Sequence, residues 1–143
     1  MSDERGVIRN RARGKQIIDF SDLRYGNITP TDIDCCIDWH NRAWVFVEYK
    51  VKGNKMPDGQ ELFYKRLCND LSKKKPTIVI EAYHEEPPTN DIDGGACIVS
   101  RYYYKGEWHD PLDEIRVADA IQQFYALVDK RTALEMAALL GAG

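Results

Sequence analysis

The chain has 143 residues and a formal net charge of −3, with 43% hydrophobic and 30% charged residues. That length suits one compact domain, and that balance is typical of a globular chain rather than a disordered one. No apolar run approaches the roughly 20 residues that a membrane-spanning helix needs, and residues 1–16 lack the apolar stretch of a signal peptide. We therefore expect a soluble, cytoplasmic single domain over residues 1–143, with no membrane partner.

Cysteines and basic residues narrow the classes of ligand. The four cysteines form no CxxC pair, which argues against a thiolate zinc site. A net acidic chain counts against a nucleic-acid-binding protein. However, residues 1–14 are basic and are expected to form a flexible tail, and Arg11, Arg13 and Lys15 lie within it or beside it. These cations are either solvated or form a clamp for phosphate groups.

The pattern of polar and apolar residues predicts the elements in chain order. After "GNITP" turns the chain, residues 32–39 alternate apolar and polar and predict a first strand, and "HNR" predicts a turn. The run "AWVFVEYKVKG" predicts a buried second strand near the middle of a sheet. A helix follows in "GQELFYKRLCNDLSKK", which starts at "PDGQ" and ends before Pro76.

The second half of the chain predicts further strands and a long helix. "TIVIEAYH" predicts a third strand and "EEPPTNDIDGG" a loop, whereas "ACIVSRYYYKGEW" is either a fourth strand or a hairpin that turns at "KG". "PLDEIRVADAIQQFYALVDKR" predicts an amphipathic helix, which "TALEMAALLGAG" extends or follows with another turn of helix. Strands that alternate with helices after an initial hairpin predict an α/β fold, a mixed sheet of four to five strands flanked by helices.

The register of the first hairpin decides whether its charged residues share a face. If His40 pairs with Trp44 across a three-residue loop, Asp34 lies opposite Lys50 and on the same face as Glu48. A two-residue loop would shift the register by one and turn Glu48 and Lys50 away from Asp34. We expect the three-residue loop, which brings the acids and the lysine together.

Acids that converge on one face of a sheet can hold a metal ion. Neighbouring carboxylates repel one another, and their oxygen atoms are ligands that suit Mg²⁺ or Mn²⁺. Such an ion can polarise a phosphoryl oxygen and generate hydroxide from bound water, while a lysine can hold that water or offset charge. The alternative is a solvated outer face or ordinary ion pairs. Glu48 favours the metal site, because its neighbours in "WVFVEYKV" predict burial.

The order of these residues resembles that of a known family. Asp34 followed by Glu48, Tyr49 and Lys50 on the next strand is similar to the motif of the PD-(D/E)xK nuclease superfamily, an aspartate at the start of one strand and (D/E)xK on the next. "ITPTDID" stands where the family has its proline and aspartate, which leaves Asp32 or Asp34 as the first acid. The resemblance covers roughly residues 28–80 and is closest to small resolvase-like or virus-type replication and repair nucleases.

The helix after the second strand extends the resemblance. Gln60 and Tyr64 in "QELFY" lie four residues apart, which places them on one helix face. This spacing resembles the QxxxY motif of the RecB-like branch of the superfamily. The resemblance implies that Gln60 orients Lys50 or a phosphate, and that Tyr64 supports Gln60 or contacts the nucleic acid.

The resemblance also implies a fold, a metal and a reaction. Asp34 and Glu48 would bind Mg²⁺ or Mn²⁺, helped by the backbone carbonyl of Tyr49, with Asp32 as an additional or alternative ligand. Lys50 would position or activate water. The implied protein has a restriction-endonuclease-like sheet and hydrolyses phosphodiester bonds in DNA, in a bacterial or phage-infected cell. Its alternative is a catalytically silent nuclease-like binding module or a phage-type inhibitor of another protein, and assembly as a homodimer stays open.

Overall fold

The computed structural model describes residues 10–141, and residues 1–9 and 142–143 lie outside the described part. Its contacts divide the chain into two compact units, one up to Thr31 and one from Asp32 onward. Most of the predicted flexible tail therefore lies outside the described residues. The rest of that tail forms a short helix, α1, Arg11–Gly14, where the side chain of Asn10 accepts a hydrogen bond from the backbone of Arg13. The flexibility of these residues stays a prediction.

The second unit contains one mixed sheet of five strands, in the order β1-β2-β3-β4-β5. The strands are β1 Cys35–Trp39, β2 Ala43–Val51, β3 Thr77–His84, β4 Ile98–Tyr104 and β5 Glu107–His109. Helix α2, Asp58–Leu71, connects β2 to β3, which are parallel, whereas the other neighbours are antiparallel. This arrangement confirms the predicted α/β fold of four to five strands flanked by helices, and "KG" is the turn of the β4–β5 hairpin.

Side chains that alternate along β2 and β3 fill two layers of core, one under each long helix. Phe46 and Val79 lie under α2, where Tyr64 covers them. Val47 and Ile80 point to the opposite face and pack in the layer under α3, Val117–Leu139. Burying one aliphatic side chain of this size contributes roughly 1.5–3 kcal/mol, so the two layers fix the sheet between its helices.

Helix α3 continues without a break to Leu139, so of the two alternatives left open for "TALEMAALLGAG" the structure has the extension of the helix. Its buried residues Val117, Phe124 and Val128 follow the helical period and face the sheet. Its last turns carry exposed leucines, including Leu134 and Leu139. Neither this helix nor any other within residues 10–141 is long and apolar enough to cross a membrane.

A tight turn sets the register of the β1–β2 hairpin. Trp39 pairs with Ala43, so the loop has three residues as predicted, but the predicted pairing of His40 across the turn is wrong. His40 and Asn41 have φ angles of 55° and 59°, and the backbone N–H of Arg42 donates to the carbonyl of Trp39 over 2.9 Å. Two successive left-handed residues close the turn early. Pairing therefore starts one residue nearer the start of β1 than predicted. The register predicted for a two-residue loop, which would turn Glu48 and Lys50 away from Asp34, is not formed.

Candidate active site

Glu48 is a carboxylate buried inside the sheet. Its exposed fraction is 4%, and its Cα pairs with that of Glu81 on β3. It shares the face under α2 with Phe46 and Lys50, because residues two apart on a strand point the same way. An ionised carboxylate in such a place needs hydrogen-bond and charge partners. These come from α2 and from β2 itself.

Helix α2 contributes two hydrogen-bond donors that lie one turn apart. The side-chain amide of Gln60 donates through Nε2 to Oε1 of Glu48 over 2.8 Å. The hydroxyl of Tyr64 donates to Oε2 of Glu48 over 2.7 Å. Residues four apart share one face of a helix, so packing α2 on β2 brings both donors to the acid at once.

Lys50 brings a positive charge to the same carboxylate. Its Nζ lies 3.4 Å from Oε1 of Glu48, and its side chain is 20% exposed. The ammonium group is therefore partly open to solvent, whereas the carboxylate behind it is not. Such a cation can reach both the buried acid and a molecule that approaches from outside.

Asp34 lies directly before β1, and its carboxylate accepts a hydrogen bond through Oδ2 from the backbone N–H of Tyr49 over 2.9 Å. Cys35 pairs with Val47, so one step further along the ladder brings Asp34 level with Glu48. The prediction that Asp34 lies opposite Lys50 is wrong, because the turn closes one residue early. The partner of Asp34 on β2 shifts by two residues, from Lys50 to Glu48. A shift of two residues keeps Asp34 on the same face of the sheet as Glu48.

Burial and neighbouring charges perturb Glu48. Its pKa is raised, chiefly because burial disfavours the charged form. The hydrogen bond from Tyr64 opposes this rise, the negative charge of Asp34 adds to it, and Gln60 and Lys50 oppose it. Burial, followed by the hydrogen bond to Glu48, also raises the pKa of the Tyr64 hydroxyl, which keeps it a donor. A second cation beside Glu48 would favour its ionised form.

We call these five residues the Glu48 site: Asp34, Glu48, Lys50, Gln60 and Tyr64. The structure brings all of them together, from β2, from α2 and from the residue before β1. The site has two carboxylates, one ammonium group, one amide and one hydroxyl.

Tyr64 differs from its predicted contact with nucleic acid, whereas the metal-binding role of the Tyr49 carbonyl stays a prediction. Tyr64 has 0% exposed surface, so it cannot contact nucleic acid, and its hydroxyl is occupied by Glu48. Its predicted place as a nucleic-acid contact is corrected to that of a buried donor. Tyr49 contributes its backbone N–H to Asp34, while its side chain leaves on the other face and donates to the carbonyl of Gly94 over 3.2 Å. Burial raises the pKa of Tyr49 to about 12.

The remaining predicted residues are Asp32, at the start of the second unit, and three cations of the first unit. Asp32 and Asp34 are both exposed, but the carboxylate that raises the pKa of Glu48 is that of Asp34. Asp34 is therefore the better candidate for the first acid of the motif. Arg11 and Arg13 belong to α1 and Lys15 follows it, all of them exposed residues of the first unit. Their contact with nucleic acid stays a prediction.

The atoms of the Glu48 site fit a hard divalent cation. Asp34 and Glu48 offer carboxylate oxygens, and Oε1 of Gln60 is buried without a hydrogen-bond partner within the described residues. A buried oxygen of this kind is satisfied by a cation or by water. Residues 10–141 contain no group of three or more His, Cys, Asp or Glu side chains placed to hold a metal ion. A metal would thus depend on two carboxylates and on oxygens of other kinds.

A second charged pair, which sequence patterns did not single out, adjoins the Glu48 site. Glu81 is 5% exposed, and its Cα pairs with those of Glu48 on one side and Arg101 on the other. Its Oε2 accepts from Nε of Arg101 over 2.5 Å, and its Oε1 accepts from the backbone N–H of Met56 over 2.9 Å. The signal was present in the sequence, because Glu81 interrupts "TIVIEAYH" as Glu48 interrupts "WVFVEYKV".

Comparisons with known proteins leave the class of protein to be argued from this site. No family model, no curated protein and no solved structure matches the chain.

Proposed function

We propose that the chain is a metal-dependent nuclease of the PD-(D/E)xK type that hydrolyses phosphodiester bonds in DNA. The observation that carries the proposal is the meeting of Asp34, Lys50, Gln60 and Tyr64 around one buried glutamate. Each of these residues matches a position of the motif that the sequence resembles. The raised pKa of Glu48 beside a second carboxylate also supports a site that attracts a cation.

Asp34 and Glu48 would hold Mg²⁺ or Mn²⁺ in this proposal, with the buried amide oxygen of Gln60 or the carbonyl of Tyr49 as further ligands. The ion would supply Lewis-acid stabilisation of the phosphoryl oxygens and a more acidic bound water. Asp32 is left outside this ligand set, because the aspartate whose charge acts on Glu48 is Asp34.

The chain's own residues would prepare the site for attack. Lys50 extends from a buried acid to a partly exposed position, where its ammonium group can orient water and offset the charge of a phosphate. Gln60 and Tyr64 hold both oxygens of Glu48 in one orientation, so the carboxylate does not reorganise when substrate arrives. Action on DNA in the cytoplasm and assembly as a homodimer belong to the same proposal.

The test is metal-dependent cleavage with a matched lysine control. Purified protein is incubated with plasmid and with single-stranded DNA in Mg²⁺, Mn²⁺ or chelator, beside Lys50→Met and Lys52→Met. We expect Lys50→Met to lower the cleavage rate about 10²–10³-fold, the usual effect of removing one preorganised charge. Lys52 is the control because it is an exposed lysine paired with Glu85, and its substitution should leave the rate within about twofold.

Two results would refute the proposal. The first is absence of cleavage on every DNA tested together with no binding of Mg²⁺ or Mn²⁺ by calorimetry. The second is cleavage that persists unchanged in Lys50→Met, which would trace the activity to another site or to a contaminant.

A binding module without catalysis is the second candidate, and one observation favours it. Both oxygens of Glu48 already accept hydrogen bonds within the protein, and the residue is 4% exposed. Such a carboxylate can be a satisfied structural group. DNA that binds without being cut, in the presence of either metal, would support this module over the nuclease.

A further inference from the structure

Helix α2 begins without the side-chain cap that usually stabilises a first turn. The residue at its N-cap is Pro57, which makes no side-chain capping hydrogen bond. An absent cap costs about 1 kcal/mol of helix stability. Gln60, which donates to Glu48, lies in this first turn. The position of Gln60 therefore depends on what fastens the turn to the sheet.

Arg101 fastens this turn from both sides. Its Nη1 donates to Oε1 of Glu61, the residue after Gln60, over 3.1 Å. Its Nε donates to Glu81, and Glu81 in turn accepts from the backbone N–H of Met56, just before the helix. The guanidinium group of Arg101 on β4 thus binds Glu61 in the first turn of α2 directly. It also binds Glu81 on β3, which holds the backbone just before the helix.

The local fold aims Arg101 at this position. Ser100 is an extra residue in β4, because Glu81 pairs with Arg101 while Ala82 pairs with Val99. Such a bulge redirects the side chains beside it. The guanidinium group then lies over the ring of Trp108, 3.7 Å from its centre, which limits the orientations it can adopt.

The charges across the sheet give Arg101 a second task. Glu48 and Glu81 are paired residues on one face, and like charges placed in this way repel each other. Arg101 forms an ion pair with Glu81, and Lys50 forms the ion pair with Glu48. Without Arg101, Glu81 would keep a buried charge without a cation and would disturb the neighbouring acid.

We propose that Arg101 is a positioning residue of the Glu48 site, which holds Gln60 on Glu48 through its ion pairs with Glu61 and Glu81. Its effect on catalysis rests on the proposed nuclease function, whereas its effect on Gln60 does not. Arg101 itself touches no reacting group in this scheme.

A double-mutant cycle tests this role in the proposed reaction. Arg101→Met should lower kcat for DNA cleavage about tenfold to a hundredfold, because small misplacements of a catalytic group have effects of this size. The KM for DNA should stay unchanged, since Arg101 does not bind substrate. In a Gln60→Ala background the same substitution should lower kcat by a clearly smaller factor, because only its effect through Glu81 remains. Arg131→Met, which breaks an exposed pair with Glu135, is the control.

A second readout needs no activity. The side-chain amide protons of Gln60 can be followed by NMR and assigned by their loss in Gln60→Ala. Their exchange with solvent should become at least about tenfold faster in Arg101→Met and stay unchanged in Arg131→Met. If Arg101→Met does not fold, Glu61→Gln breaks the helix side of the connection alone and should show the same faster exchange.

The outcomes separate the two proposals. Unchanged exchange of the Gln60 amide, or kcat effects that add fully in the double variant, would overturn the role of Arg101 even if DNA is cleaved. Faster exchange in a protein that neither cleaves DNA nor binds Mg²⁺ or Mn²⁺ would refute the nuclease and leave the positioning role standing.

Discussion

At the scale of single residues, the central feature is a glutamate that the fold buries and then surrounds with donors. Burial raises the free energy of the charged form, while Tyr64, Gln60 and Lys50 lower it. The balance leaves the pKa of Glu48 raised, with the charge of Asp34 acting in the same direction as burial. Because the pKa of Glu48 is raised by folding, the free energy of unfolding depends on pH whether or not the protein is an enzyme.

The raised pKa predicts how stability changes with pH. In the unfolded chain Glu48 titrates near its ordinary value of 4.5, and in the folded chain it titrates higher. As pH rises from below 4.5, the unfolded state loses this proton first, so the free energy of unfolding falls until the folded pKa is passed. We expect wild type in chelator to show this loss and Glu48→Gln to lack it.

Urea denaturation over a series of pH values measures the effect as the difference between wild type and Glu48→Gln. Taking the difference removes the contribution of the other acids, which titrate in both proteins. A difference that stays constant across the series would contradict a raised pKa for Glu48.

At the scale of elements, the side chain of Tyr49 on β2 connects this strand to the loop after β3. The hydroxyl of Tyr49 donates to the carbonyl of Gly94. A methyl group built on Gly94 would lie 2.7 Å from that hydroxyl oxygen and 3.2 Å from the ring carbon that carries it. Gly94 is therefore required by a close approach between the loop and the strand whose backbone binds Asp34.

Gly94→Ala should lower the free energy of unfolding by about 1–3 kcal/mol, the usual effect of forcing atoms into a packed region. Tyr49→Phe should lower it by about 1 kcal/mol through the lost hydrogen bond. In the double variant the closest atom is gone, so the total loss should be smaller than the sum of the two. Denaturation in urea measures all three.

Gly59→Ala is the matched control for this comparison. Gly59 lies in α2, and a methyl group built there would meet no atom within 4 Å. Alanine is favoured over glycine in a helix by up to about 1 kcal/mol, so this variant should be as stable as wild type or more so. Equal losses in Gly94→Ala and Gly59→Ala would exclude the contact with Tyr49 as the cause.

At the scale of the whole molecule, charge is distributed unevenly over a net acidic chain. The second unit contains the sheet, both long helices and the Glu48 site. The first unit carries Arg11, Arg13 and Lys15 as exposed cations near its start. If the protein binds DNA, these cations are the predicted contacts with phosphate.

Replacing Arg11, Arg13 and Lys15 together by alanine should weaken DNA binding and its dependence on salt. Each phosphate contact contributes about 0.9 to the slope of log K against log salt concentration for duplex DNA. Loss of all three contacts should therefore reduce the slope by up to about 3. Fluorescence anisotropy at several salt concentrations measures it, in chelator so that DNA stays intact.

A triple variant with the same change of net charge is the control. Lys73, Lys74 and Lys130 are exposed lysines of the second unit, and their replacement by alanine should leave the slope nearly unchanged. Equal slopes for both triple variants would show that net charge, rather than contact by the N-terminal cations, controls binding.

Local pattern was sufficient for much of the fold and of the site. Alternation and apolar runs predict the strands, and helical spacing predicts α2 and α3. Spacing two apart on β2 places Glu48 and Lys50 on one face, and spacing four apart on α2 places Gln60 and Tyr64 on another. These relations lie within single elements, so the period of the backbone determines them.

Relations between elements were decided only by the tertiary structure. The position of Asp34 opposite Glu48 depends on the register that the left-handed turn between β1 and β2 sets. The meeting of Glu81 with Arg101 depends on strand order and on a bulge in β4. By itself, the sequence determined which residues of one strand or helix share a face. The tertiary structure decided which of these faces contact each other and which residues lie opposite one another. Contacts between distant segments depend on turn geometry and on the shape of the core, and no local period encodes either.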